Sequence, residues 1–409
     1  MATVPRMSVD EAPARLLARR LPGATVLQIV PALIDAPAAR SAVNIASALL
    51  RSGARAMVAG GPGMLVGQLQ ALGGEWVRFI SDTLNPLKLR RNARALTELI
   101  ADERIDIVHA YDGPTAWSAQ VAVRNNAAWL VTSYAGAPMA RVDLASLYQG
   151  ALARAHRVVA ESDYAAELII GRHRVPRERI ATIPRSVDTA RFDPAAVSQE
   201  RIAVLRHGWN IRSGWRVILV PGPLSPAHGQ MTVIDAIRIL VNGGLRQVAF
   251  VMASDSVGDG EYAREVAERT DSQGIGALVR RVGHCLDMPA AHAMADLVIV
   301  PAVEPTTFNQ AAAEAHAMAK PVIASMVGNL PEIVLAPPRA DDDDRTGWVV
   351  PPSDPVALAR AIAGALALDD SVWHAMAARA RQSADTRFSP DRVAGAMLRL
   401  YTDLLQGER

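Results

Sequence analysis

Glu314 is the side chain in this sequence best placed to hold a polar ligand. It stands in VIVPAVEPTTFNQAAAEAHAMAKPVIAS, Val298 to Ser325. A short apolar strand there stops at Pro301, an alanine-rich helix follows, and Lys320-Pro321 opens a second strand. Thr306 and Thr307 offer hydroxyls to cap the helix. A strand–loop–helix–strand unit lays a helix N-terminus at the carboxyl edge of a parallel sheet, where free N–H groups and the helix dipole favour a phosphate. Phe308, Asn309 and Gln310 occupy that N-terminus, and Glu314, on the second turn, is within reach of a sugar hydroxyl. A lone helix glutamate is more often simply solvated, so its surroundings decide its role.

A second loop able to meet an anion follows the apolar strand Arg216 to Val220 and reads PGPLSPAHGQ, with Gly222, Pro223 and His228. An imidazole has an ordinary pKa of about 6.5, and a bound diphosphate would favour its charged form. His109, by contrast, ends an apolar strand (IDIVHA), where a histidine is usually a hydrogen-bonded core residue.

The elements that carry these residues alternate strand and helix throughout. Thr25 to Val30 reads as the first buried parallel strand, followed by a loop with Asp35 and an amphipathic helix, Ser41 to Arg51. The strand Ala54 to Ala59 runs into Gly60-Gly61-Pro62-Gly63, whose spacing suits a tight strand-to-helix turn and not a dinucleotide fingerprint. A helix from Pro86 to Glu103 carries Lys88, Arg90, Arg91 and Arg94 in its first half. These bases suit either a solvated face or anionic lipid headgroups. Further strands are expected at Trp129 to Ser133, Arg157 to Ala160 and Val248 to Ala253, with Ser162 as a helix cap and Ile180 to Asp188 (IATIPRSVD) as a further segment that ends in a turn.

Composition sets the outer bounds. The 409 residues suffice for two ordinary domains, and 50% are apolar, enough for a large core. A net charge of +2 is too small to argue for nucleic acid. The single cysteine, Cys285, rules out an internal disulfide and a cysteine zinc site, which fits a reducing cytoplasm. The only lysines are Lys88 and Lys320, and neither has the glycine spacing of a P-loop. No run of apolar residues is long enough to span a bilayer, and residues 1–22 read as a loose leader without a secretory core. The acidic run Asp341 to Asp344 reads as a solvated loop, and no metal site is expected.

The Val298 to Ser325 segment resembles the donor-site motif of family 4 glycosyltransferases, retaining enzymes of the two-domain GT-B class. Their pattern is a Glu, seven residues including Phe-Gly, a second Glu, an Ala-Met-rich helix and a Pro-Val-Ile-Ala strand. Matching Phe308 to the family Phe puts Glu314 on the second Glu, which in the family contacts the nucleotide ribose. Thr306 then stands on the first Glu and Asn309 on the Gly. The family's diphosphate-gripping Arg and Lys correspond to Pro223 and His228, and its active-site His to Ala135, next to Gly136. The turn IPRSVD resembles the family's IPNGVD.

The resemblance implies an α/β fold of two Rossmann-like doubly wound domains facing a cleft. Residues 23–198 would form the acceptor domain, 199–385 the nucleotide-sugar domain, and 386–409 a helix crossing back onto the first. It also implies transfer of a sugar with retention, from a UDP- or GDP-sugar to a cell-envelope glycan or lipid-linked acceptor, without metal or cofactor. Glu314, Phe308, Asn309, Gln310, Gly222 and His228 would bind the donor; Ala135, Gly136 and Asp35 would lie on the acceptor side. His228 and Thr306 are the candidates for a catalytic role. A cytoplasmic protein is expected, peripheral on the inner membrane and able to form homo- or hetero-oligomers. Losing two charge-assisted contacts to a diphosphate costs about 3–6 kcal/mol. A second reading is therefore an impaired relative that binds or scaffolds without catalysing.

Overall fold

The computed structural model describes residues 21–81, 83–134, 144–253 and 260–407. The chain divides into two compact units, one made of residues up to Ser186 together with those from Ser389 onward, the other of Val187–Phe388.

The first unit is built on seven parallel strands: β1 Thr25–Ala32, β2 Arg55–Gly61, β3 Glu75–Arg78, β4 Ile107–Ala110, β5 Trp129–Tyr134, β6 Arg157–Ala160 and β7 Ile180–Thr182. Their spatial order is β3-β2-β1-β4-β5-β6-β7. The first six residues of β1 are all buried, as expected for a strand covered by helices on both faces. The helix Pro37–Arg51 begins with proline at its first turn and ends on an arginine, and buries Ala39, Ala42, Val43, Ile45, Ala46 and Leu49. Ser162 caps the helix Asp163–His173, accepting from the Ala165 N–H at 3.0 Å. The last helix, Pro390–Gln406, buries Val393, Met397, Leu398, Tyr401 and Leu404 in the same core as Pro37–Arg51.

The second unit holds six parallel strands: β8 Arg216–Pro221, β9 Val248–Ala253, β10 Val279–Gly283, β11 Leu297–Val300, β12 Val322–Ser325 and β13 Gly347–Val350. Their order is β10-β9-β8-β11-β12-β13. In each unit the chain starts at a central strand, winds to one side, then returns to the other side of that strand. The reversal creates a switch point, between β1 and β4 in one unit and between β8 and β11 in the other, where the loops leave in opposite directions and open a crevice. This is the doubly wound, Rossmann-like architecture expected from the sequence, present twice.

One stretch packs differently from the sequence reading. Residues 187–198 join the second unit, because Val187, Phe192 and Val197 are buried with Ile211, Val217 and Leu219. The long helix Asp370–Arg387 ends at Phe388, itself buried in that core, and Ser389-Pro390 restarts the chain in the first unit. Among the described residues, no helix is long and apolar enough to cross a membrane.

Candidate functional site

In the second unit the sequence-predicted residues gather on two loops at the β8/β11 switch point. The loop after β8 runs through a 3-10 turn, Pro226–His228, into the helix Gln230–Asn242. The loop after β11 runs from Pro301 to the helix Gln310–Ala317. The two are fastened together by backbone. The Ala227 carbonyl accepts from the N–H groups of Val303 at 2.8 Å and Glu304 at 3.2 Å. Gly229 sits in the left-handed region at φ +72°, and a Cβ there would lie 1.9 Å from the Pro301 oxygen. Only glycine permits this approach.

His228 stands half-buried on the first loop with Nδ1 2.7 Å from the Ser225 hydroxyl. Its ring lies along Gly222, where a Cβ would come 3.4 Å from the imidazole Cδ2 and where φ is +127°. The Pro223 carbonyl accepts from Gln230 Nε2 at 2.8 Å. Proline thus contributes loop geometry here and no charge.

On the second loop the structure corrects the expected cap. Thr306 and Thr307 precede the helix, and Asn309 caps it, its Oδ1 accepting from the Ala312 N–H at 3.1 Å. The reason lies in Phe308, which is 6% exposed and packs edge-on against Phe388 with ring centroids 5.6 Å apart. Burying that ring fixes where the helix begins. Phe308 therefore anchors the loop from beneath. Gln310 donates through Nε2 to Glu314 Oε1 at 3.1 Å, which steadies the carboxylate on the half-buried second turn.

Gly328 and Asn329, which the sequence reading did not single out, close this loop from the β12 side. Gly328 has φ +58°, and a Cβ there would come within 2.7 Å of the Thr306 backbone. The Asn329 N–H donates to the Thr306 carbonyl at 3.2 Å. The available signal was a Gly-Asn pair separated by two residues from the apolar strand before it. Three further arginines able to carry charge to a diphosphate have partners of their own. Arg216 opens β8 at its amino end and donates to the Leu366 carbonyl at 3.1 Å; Arg339 donates to the Pro331 carbonyl at 3.4 Å. Arg185, in the first unit, pairs with Glu161 at 2.5 Å.

In the first unit, Asp35 lies exposed on the loop after β1, with both carboxylate oxygens on the Arg40 guanidinium, one of them at 2.6 Å. Ala135 and Gly136 fall outside the described residues. His109 is a core residue. Its Nδ1 is 2.7 Å from the Tyr401 hydroxyl and its Nε2 is 2.9 Å from the Ser133 hydroxyl, while Tyr111 stacks on its face. Burial lowers its pKa to about 3, so it is neutral and structural.

Residues 38–191 match the family described as Glycosyltransferase Family 4, and residues 216–367 that described as Glycosyl transferases group 1. Among relatives, a D-inositol 3-phosphate glycosyltransferase of Salinispora tropica is 31% identical over 63% of this chain and 53% of its own length. One of Xylanimonas cellulosilytica is 30% identical over 64% of each. The chain thus spans between half and two-thirds of the length of these relatives. Among solved structures, a glycosyltransferase of Rickettsia africae superposes with a TM-score of 0.81 at 23% identity, covering 94% of this chain and 100% of that one. HepE of Anabaena, solved in complex with UDP, superposes with a TM-score of 0.74 at 20% identity, covering 93% and 100%.

Proposed function

We propose that this chain, in which a region matching the family 4 model is followed by one matching the group 1 model, is a GT-B glycosyltransferase that transfers a sugar, with retention, from a nucleotide sugar to an envelope glycan or lipid-linked acceptor. The observation that carries this reading is the pair of fastened loops at the β8/β11 switch point, one bearing His228 and the other leading into the helix that bears Glu314. Solved neighbours hold UDP or UDP-glucose, which supports a UDP-sugar as donor here.

In this reading the first turn of Gln310–Ala317 and a protonated His228 meet the diphosphate, because the departing nucleotide must leave with its charge compensated. Ser225 and Gly222 fix the ring in place of a flexible lysine. Glu314, steadied by Gln310, accepts from the ribose hydroxyls, and Thr306 faces the sugar.

Calorimetric titration with UDP-, GDP- and ADP-sugars tests this. One of them should bind in the micromolar range, and Glu314→Ala should weaken it at least about tenfold, the effect of one charge-assisted contact. Failure of every nucleotide sugar to bind would end the reading. Because Pro223 and Thr306 carry no charge, the binding-only reading has its own test. If transfer appears only after Pro223→Arg with His228→Lys, the wild-type site binds without catalysing.

A further inference from the structure

The first unit has a feature that donor chemistry does not use. The loops after β1, β2 and β3, at the carboxyl edge of the sheet, enclose a groove of about 430 Å3 lined by Pro31, Ala32, Ile34, Ala36, Gly61 and Ile80 among others, none of them charged. Ile34 is 53% exposed and Ile80 68%. Met64, Leu84 and Leu87 extend the apolar surface and are likewise exposed. Close packing holds these residues outward. A Cβ on Gly63 would lie 2.2 Å from the Leu33 oxygen, which sets Met64 beside Ile34. Asn92 Nδ2 donates to the Ile80 carbonyl at 2.9 Å, which ties the groove to the helix Pro86–Asp102.

That helix supplies the charge. At about 3.6 residues per turn, Leu87, Arg90, Arg91 and Arg94 share one face, with Lys88 at its border, opposite the buried Leu89, Ala93, Leu96 and Ile100. All five are exposed. Their position runs against the helix dipole, which favours acids at the N-terminus and bases at the C-terminus. Here the first turn has no acid and the last turn no base, and Glu98 and Asp102 lie in the second half. An arrangement that weakens the helix is explained by an anion outside it.

We propose that this edge docks on an anionic bilayer surface, with Ile34, Met64, Ile80, Leu84 and Leu87 among the acyl chains and Lys88, Arg90, Arg91 and Arg94 on the lipid phosphates. Apolar contact and charge reinforce each other, and two such signals are what stable peripheral binding requires. The inference deepens the membrane-facing part of the proposed function and rests on it only for the acceptor. Donor binding is read separately, so failure of one leaves the other standing.

The test is co-sedimentation of the full chain with vesicles of phosphatidylcholine, with and without phosphatidylglycerol. Binding is expected only to the anionic vesicles, and to fall with added salt. Arg90→Glu with Arg91→Glu, and separately Ile80→Ser with Leu87→Ser, should each reduce it by about tenfold or more. Circular dichroism and donor titration should stay at wild-type values, since all four residues are on the surface. Ile80→Trp should shift its emission to the blue on anionic vesicles. No co-sedimentation, equal binding to neutral vesicles, or indifference to both double variants would overturn the proposal. So would self-association abolished by Ile80→Ser in a protein that ignores vesicles.

Discussion

The carboxyl edges of the two sheets share a topology and a construction device, and differ in what they display. In both, a glycine without room for a Cβ lets one strand-to-helix loop lie against its neighbour: Gly63 against Leu33, Gly229 against Pro301. From the first frame project Ile34 and Met64; from the second, His228. Duplicated folds therefore fix where a ligand meets the protein, while the side chains placed on the frame fix which ligand. The units also bury histidine differently. His109 of the first unit has hydroxyl partners on both nitrogens. His292 and His316 of the second are fully buried with no hydrogen bond of good geometry at either ring nitrogen, although the Thr346 backbone lies near enough to His316 to favour its charged form slightly.

The sharpest way to break the comparison is at the glycine frames. Gly229→Ala should destabilise the second unit by about 3 kcal/mol or more, since a Cβ at 1.9 Å from the Pro301 oxygen forces the backbone apart. Gly73→Ala, also at positive φ but with nothing within 4 Å, should cost only about 1 kcal/mol. Denaturant melts of the two variants check this. Equal losses would mean that φ, and not the contact between loops, sets the requirement.

Acid sensitivity comes next. Burial lowers the pKa of His292 and His316 to about 3, helped by the charges of Lys320 and Arg387 respectively. Each ionises near 6.5 when unfolded. The unfolded chain therefore binds more protons below that pH, so stability is full above about 6.5 and falls as pH drops toward 3, by up to about 1.4 kcal/mol per unit per histidine. His316→Leu should flatten this slope in urea melts taken between those limits. An unchanged slope would show that the ring is not neutral in the folded protein.

At neutral pH the same residues separate the units. Tyr401→Phe removes a partner from buried His109 and should cost about 1–3 kcal/mol. His316→Leu removes polar atoms that lack well-formed bonds and should be close to neutral, within about 1 kcal/mol. The smallest effect is expected at the rim, where Ile80→Ser should change the melting midpoint hardly at all, within about 0.5 kcal/mol. A large loss there would mean that Ile80 serves the core.

Much of this was legible in the chain. The apolar runs at Thr25, Arg216 and Val298 are strands buried on both faces, and periodicity finds such strands because burial demands it. Glu314 and its alanine helix stood out for the same local reasons. The Thr306-Thr307 pair misled, because hydroxyls before a helix satisfy the local rule for a cap while the start of the helix was fixed by Phe308 meeting Phe388, far away in sequence. Residues 187–198 misled likewise: Val187, Phe192 and Val197 side with whichever core offers them contact, and no window around them contains Val217.

The sequence alone determined the alternation of buried strands and amphipathic helices, the glycines of the loops, and the presence of Pro223 and His228 in the loop after β8, because each is written in residue type and short-range spacing. Tertiary structure decided which loops meet. That Ala227 binds the backbone beyond β11, that Gly328 fits under Thr306, and that Ile34 and Ile80 share a groove beside a basic helix are products of strand order. Strand order is chosen by burial summed over the whole sheet, which no single stretch of the chain contains.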